Sequence, residues 1–314
     1  MYVRILFIAS LLVANISCRT TASDSTYLAQ GNQYAKDGLY KEAAESYRQA
    51  LREQPKNMTI FRNLGMVLVK LGDFKKAVQS LEMATRSFGD DFDTNFYLAE
   101  AYRARDKYAE AIFRYKHALK VSPKSLKALK SLAWSYYQIR YYSEALNTAR
   151  VAQKQAPNDI QSNVILARVY LSLGRHGDAQ SVISNARTHA TKESVVYIDG
   201  VEGDLYLEKN NCKKAVGFYQ SALKAQPLLP SALLGLGTCM YQEKKYDLAI
   251  NMLERASRLR PQMKETYLIL GKTYEAKKDK KYLQYYKKFI AVAGNDPQHL
   301  SEATLLRKRM SQLN

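Results

Sequence analysis

The stretch LKALKSLAWSYYQIRYYSEALNTARVAQKQAPND, Leu126 to Asp159, decides the fold. Leu129, Leu132, Ala133 and Tyr136 recur at three- and four-residue steps, which predicts one amphipathic helix. Ala145, Leu146, Ala149 and Ala152 predict a second. Small alanines let two such helices approach closely, while tyrosines fill the space opposite. Pro157 cannot continue the second helix, because it has no N–H to donate, so the chain turns there.

The unit repeats along the chain. Ala43, Ala77, Ala111, Ala145, Ala179, Ala215 and Ala249 are spaced by 34 residues five times and by 36 once. Ala50, Ala84, Ala118, Ala152, Ala186, Ala222 and Ala256 follow seven residues behind, on the same helix face. A third register holds Tyr34, Leu68, Tyr102, Tyr136, Tyr170, Tyr206, Met240 and Tyr274. Three residues upstream of it lie Gly31, Gly65, Ala99, Ala133, Ala167, Gly203, Gly237 and Gly271. Pro55, Pro123, Pro157, Pro227 and Pro261 share one offset.

These residues resemble the tetratricopeptide repeat. The resemblance implies an all-α, right-handed superhelical solenoid of about eight helix-turn-helix repeats, beginning near Asp24, Met58, Phe92, Leu126, Ile160, Val196, Pro230 and Lys264. The array is expected over 24–293, with a capping helix over 294–314 opened by Asn295-Asp296-Pro297 and polar outside through Arg307-Lys308-Arg309. Ser194 and Val195 are an insertion, where Thr191 replaces the proline and a local change of pitch is expected. Apolar residues at 46% and charged residues at 25% fit neither disorder nor an integral membrane protein, and 14 Gly with 7 Pro are too few for an all-β sandwich.

Residues 1–17 read as a secretory signal: Met1 to Arg4 is basic, and the apolar run from Ile5 to Ile16 is too short to span a bilayer. Its end resembles a bacterial lipobox. Ser17 and Cys18 fit, whereas Asn15 stands where that pattern prefers Leu. The resemblance implies lipidation of Cys18, a tether over 18–23 and, through Arg19, an outer-membrane lipoprotein facing the periplasm. Ordinary signal-peptidase cleavage, with Cys18 incidental and the protein soluble in the periplasm, is the other reading.

No catalytic set, metal site or cofactor is expected. His117, His176, His189 and His299 fall at unrelated repeat positions, and no Gly-rich phosphate loop or G-x-S-x-G elbow is present. A disulfide between Cys212 and Cys239 is conceivable in an oxidising compartment, against the plainer reading of two buried small hydrophobes.

The concave side of such a solenoid is lined by the first helix of each repeat. Beside the core stripe these helices carry Arg62, Asn63, Phe96, Tyr97, Arg103, Lys127, Lys130, Trp134, Tyr137 and Arg168, where aromatics interleave with cations. Trp134, the sole tryptophan, is the candidate anchor for a protein or peptide partner, because Trp and Arg are enriched at binding hot spots. It could equally pack on Tyr137. The cations, unaccompanied by acids from Lys127 to Lys130, favour an acidic ligand. The chaperone-tail carboxylate clamp of some tetratricopeptide repeats matches no three-repeat window.

The charge of +19 favours anionic partners. Nucleic acid is set aside because the leader implies export. The expected function is a non-catalytic scaffold at the cell envelope that aids assembly of an envelope complex, resembling outer-membrane tetratricopeptide lipoproteins such as secretin pilotins and adaptors of peptidoglycan enzymes. The alternative is a subunit or regulator of a cell-wall-modifying enzyme, with Glu100 and Asp204 as its minimum acid pair.

Overall fold

The computed structural model describes residues 26–294 and 299–311. Among the described residues there are 17 helices and no strand. The leader, Cys18, the tether and Asn295-Asp296-Pro297 lie outside them. The first helices of the repeats (A helices) are α1 (Thr26–Lys36), α3 (Met58–Lys70), α5 (Phe92–Ala104), α7 (Leu126–Gln138), α9 (Ile160–Ser172), α11 (Val195–Glu208), α13 (Pro230–Gln242) and α15 (Lys264–Ala276). The second (B helices) are α2 (Tyr40–Glu53), α4 (Phe74–Phe88), α6 (Tyr108–Val121), α8 (Tyr142–Gln155), α10 (His176–Thr188), α12 (Cys212–Ala225), α14 (Tyr246–Leu259) and α16 (Lys281–Ala293), and α17 (Leu300–Ser311) follows.

Two compact units divide between Gly89 and Asp90. In the first, α1 to α4 pack in chain order and α1 touches α3. In the second, each helix from α5 to α17 packs on the next, and the A helices α5 to α15 also touch one another in succession. No two B helices touch among the described residues, so within this unit the A helices form the inner layer and the B helices the outer one. Every alanine of the two sequence registers is buried at these hairpin contacts. The core is therefore distributed along the array, as expected where each repeat covers its neighbour.

Local chemistry starts and ends the helices. Asp91 and Asp159 cap α5 and α9 by accepting from Thr94 N and Ser162 N, both at 2.8 Å. Each A-to-B turn contains one residue in the left-handed region: Gly38, Gly72, Asp106, Arg140, Gly174, Asn210, Lys244 and Lys278. That backbone turns the following N–H back onto the carbonyl of the tyrosine register, as in Tyr141 N to Tyr136 O at 3.0 Å and Lys245 N to Met240 O at 2.8 Å. This third register thus supplies both a large apolar or aromatic side chain and the carbonyl that closes the helix.

The two-residue insertion is taken up between α10 and α11. Thr191 N donates to Ser194 Oγ at 2.8 Å and Val195 N to Thr191 O at 3.0 Å, which turns the chain without proline. Behind this loop Arg187 bridges the buried carboxylates of Asp199 and Glu202 at 2.7 and 2.6 Å, and Ser221 Oγ donates to Asp199 at 2.5 Å. At the C-terminus Ala303 and Leu306 of α17 are buried, Arg309 pairs with Glu275, and Lys272 pairs with Glu302 at 2.8 Å. The outer side of α17 carries exposed Leu305 as well as Arg307 and Lys308, so it is less polar than the sequence suggests.

Candidate functional site

The site grows out of a polar ladder that crosses each hairpin. The position after the small-residue register is Asn32, Met66, Glu100, Trp134, Arg168, Asp204, Thr238 and Lys272 in successive A helices. The B helix places Tyr47, Leu81, Tyr115, Ala149, Ile183, Tyr219 and Leu253 beneath the first seven. Where the B residue is tyrosine, its hydroxyl reaches through the hairpin to an acceptor. Tyr47 donates to Asn32 Oδ1 at 2.8 Å, Tyr115 to Glu100, and Tyr219 to Asp204 Oδ1 at 2.9 Å. Glu100 also accepts from Ser131 Oγ at 2.7 Å and pairs with Arg103 at 2.6 Å, and Asp204 pairs with Arg168 at 2.8 Å. Burial raises the Glu100 carboxyl, and Arg103, Tyr115 and Ser131 more than reverse this, holding it below the usual carboxylate range. Burial and then the charge of Glu100 push the Tyr115 hydroxyl far above the ordinary phenol range. Glu100 and Asp204, the acid pair considered for catalysis, are thus each engaged in holding neighbouring helices together.

In the second unit the inner helices surround a groove of about 930 Å³. That is the size of a small-ligand or peptide site. Its aromatic panel is Trp134, half-buried and stacked on Tyr137 at 5.2 Å, with Tyr142 tilted against Tyr137 at 6.0 Å. Val164, Ile165, Val196, Leu229, Leu234 and Ile269 add apolar wall, and Tyr197, Gln138 and Thr238 add polar tips. Arg103, Lys130, Arg168, Arg140, Arg260 and Lys264 line it against Asp204 and Glu265.

Several expectations are corrected here. The cations expected as a free frame are paired: Lys127 with Asp93 at 3.9 Å, Lys130 with Asp159 at 3.1 Å, and Arg103 and Arg168 as above. Asp93 lies in the preceding repeat and Asp159 at the head of the next A helix, so a scan from Lys127 to Lys130 does not find them. Phe96 is buried against Phe92, Tyr97 and Tyr115 beneath the Lys127 ammonium, 4.5 Å from its ring, and is a core residue. Tyr97 belongs to the same cluster. Arg62, over the Phe88 ring at 5.4 Å, and Asn63, donating to Asn32 Oδ1 at 2.9 Å, lie in the first unit. The structure therefore brings Arg103, Lys130, Trp134, Tyr137 and Arg168 together in one groove.

Arg140 and Arg260 were not anticipated. Neither is in an ion pair among the described residues, and Arg140 lies over the Tyr142 ring at 5.9 Å. Both sit at helix ends, Arg140 in the left-handed turn and Arg260 before Pro261. A helix-face reading passes over such positions.

No group of three or more His, Cys, Asp or Glu that could hold a metal occurs among the described residues. No described helix is long and apolar enough to cross a membrane. Cys212 and Cys239 are buried and unbridged, Cys212 Sγ donating to Gln242 Oε1 at 2.9 Å. Burial, followed by contact with Cys212, pushes the Cys239 thiol up.

The tetratricopeptide-repeat family matches residues 28–92, 62–115 and 201–264, and the family of anaphase-promoting complex, cyclosome, subunit 3 matches residues 89–191. The chain is 26% identical over 236 residues to the BBSome complex member BBS4 of Bos taurus, covering 74% of this chain and 44% of that one. It is 27% identical over 218 residues to the human DnaJ homolog subfamily C member 7, covering 64% and 43%. It thus spans less than half the length of these two relatives. In structure it is similar to a tetratricopeptide repeat protein from Parabacteroides merdae, with TM-score 0.69, 15% identity, and 79% and 97% of the two chains covered. Yeast Tom70 is also similar, with TM-score 0.58, 18% identity, and 97% and 68% covered. The chain belongs to the tetratricopeptide-repeat proteins. Proteins of this class act as protein-interaction scaffolds.

Proposed function

We propose that the protein is a non-catalytic scaffold whose second unit holds an acidic, extended protein segment in the groove lined by Trp134. The observation that carries this reading is the stacked panel of Trp134, Tyr137 and Tyr142 beside the unpaired cations Arg140 and Arg260. The panel offers a flat apolar contact of the kind found at hot spots, and the two guanidiniums at helix ends suit carboxylates of the same segment. Lys130, Arg168 and Arg103 are committed to internal ion pairs and shape the wall. The setting we propose is the cell envelope, with Cys18 as the lipid anchor; its support is the apolar run followed by Ser17-Cys18.

Trp134 is the sole tryptophan, so its emission reports directly on the groove. Fluorescent peptides rich in Asp and Glu with one aromatic residue are expected to bind and shift that emission, and charge-reversed peptides are not. Trp134→Ala is expected to weaken binding at least about thirtyfold, from about 2 kcal/mol for a hot-spot residue. Arg140→Gln with Arg260→Gln is expected to slow association and flatten its salt dependence. Equal binding of acidic and basic peptides defeats the reading, as does a Trp134→Ala protein that melts earlier yet binds equally well. Incorporation of a clickable fatty acid into wild type and equally into Cys18→Ser removes the anchor.

A further inference from the structure

We propose that the outer faces of α6 and α8 form a docking surface for an anionic lipid bilayer, separate from the groove and independent of any lipid on Cys18. On α6, Phe113, Lys116, Lys120 and Val121 fall at i, i+3, i+7 and i+8 and share one face. One repeat on, Arg150 and Lys154 of α8 occupy the registers of Lys116 and Lys120, and Val151 lies between them. Both registers hold a cation only in these two repeats of the second unit; the next repeat has Ser184 and Thr188, and the one after it Gln220 and Lys224.

The contacts separate these cations from those of the groove. Between Arg114 and Lys154 nine basic residues face one acid, Glu144. Lys127 and Lys130 turn inward to Asp93 and Asp159, and Arg140 lines the groove. Lys116, Lys120, Lys124 and Lys154 are exposed and in no ion pair among the described residues. Gln155 Nε2 donates to Lys124 O, which ties the end of α8 to the loop after α6 and joins the two halves of the surface. Glu110 and Glu144 stand in the first turns, at the other end of their helices. His117 senses the field: its imidazole is held below the usual range first by burial, then by Lys120, Arg114 and Lys116, with Asp90 opposing.

Charge alone would fit any polyanion. The exposed apolar side chains decide for lipid: Phe113 is 55% exposed, Val121 50% and Val151 52%, all interleaved with the cations. Such groups gain by entering the boundary between headgroups and acyl chains while lysines meet anionic lipid, and a nucleic-acid backbone offers them nothing equivalent.

The test is flotation of the full chain with vesicles of phosphatidylcholine, with and without phosphatidylglycerol. Wild type is expected to partition more strongly as phosphatidylglycerol is added and less as salt rises. Replacing Lys116, Lys120 and Lys154 together by Gln is expected to lower partitioning into anionic vesicles about a hundredfold, about fivefold for each cation. The N-terminal leader is common to both proteins, so this difference belongs to the surface, and matched helix ellipticity shows that both are folded. Phe113→Ser is expected to weaken vesicle binding and leave binding to a DNA duplex unchanged. Equal partitioning of wild type and the triple variant overturns the proposal. So does a protein that binds the duplex through these lysines while Phe113→Ser leaves vesicle binding intact.

Discussion

An alanine at position 235 is expected to destabilise the second unit although alanine is the better helix former. The Tyr219 ring is wholly buried and slotted between two glycines, Gly203 of α11 and Gly235 of α13. A Cβ at 235 would lie 2.2 Å from Tyr219 Cζ and 2.5 Å from its hydroxyl, and one at 203 would lie 2.5 Å from Cε1. The ring therefore cannot retreat from one helix without striking the other. Overpacking of this kind costs about 1–3 kcal/mol, and displacing the hydroxyl from Asp204 adds about 1.5–3 kcal/mol, since the acceptor is charged. The gain in helix propensity returns about 1 kcal/mol, leaving a net loss of about 3 kcal/mol for Gly235→Ala. Leucine, found at the equivalent positions 81 and 253, lacks the offending ring atoms. In a Tyr219→Leu background the clash is gone, so the two changes together should be less damaging than their sum by about 2 kcal/mol or more. Urea unfolding followed by ellipticity measures the cycle. Hydrogen exchange in α11 to α13 locates it, which matters because a repeat array need not unfold in one step. Additivity within about 0.5 kcal/mol would show that the slot is not what makes glycine necessary.

Lys244→Gly should raise the urea midpoint by about 0.5–1 kcal/mol of stability, because Lys244 sits at φ +60°, where a side chain costs about 1–2 kcal/mol and glycine costs chain entropy instead. Arg187→Met should cost about 2–3 kcal/mol in thermal unfolding; the usual range for a broken buried pair is discounted because Arg187 is 38% exposed, while Asp199 and Glu202 stay buried. A loss under about 0.5 kcal/mol would mark Arg187 as an ordinary surface residue. Glu100 and Asp159 are both held below their ordinary values of 4.5 and 3.8: burial raises each, and their hydrogen bonds and cations outweigh it. Their contribution is present in full above those values and is lost as pH falls through the lower folded ones, so acid titration of the melting temperature should be flat near neutrality and fall below about pH 4.5. A melting temperature that rises on acidification through that window would contradict the assignment.

Periodicity made the hairpins legible, because two alanine registers that must be buried for helices to touch leave a 34-residue signature whatever lies between them. Seven of the eight A helices begin within one residue of the expected position, and α1 is already helical at Thr26, the first described residue. The left-handed turn register was harder to read. Gly38, Gly72 and Gly174 announce it, but Asp106, Arg140, Asn210, Lys244 and Lys278 occupy the same backbone position, since the following N–H bond to the carbonyl of a tyrosine, or of Met240 after Lys244, holds them there. Ion pairing in the groove was hidden by distance along the chain. Asp204 reaches Arg168 across 36 residues and Asp159 reaches Lys130 across 29, so a local count of charge shows cations where the fold supplies neutral pairs. Phe96 was misplaced for a related reason, as its helix turns that face toward Tyr115 of its own hairpin.

The location of Trp134 follows from the layer behind it. At its register, repeats with a B-helix tyrosine carry Asn32, Glu100 or Asp204, because a hydroxyl arriving through the hairpin needs an acceptor. In the fourth repeat the B residue is Ala149, too short to arrive, and an acceptor there would stand without that bond. Tryptophan fills the place instead and lays its ring on Tyr137. The ladder resumes on both sides, with Glu100 fixing Arg103 and Asp204 fixing Arg168, so the aromatic panel is framed by ions already satisfied internally. A ligand meeting this wall gains little from those cations, whose field is spent on their partners. On the proposed reading it gains from the ring surface and from Arg140 and Arg260, which line the groove from helix ends and stand in no ion pair among the described residues. Sequence registers thus set where the groove is apolar, and the helix ends set where it is charged.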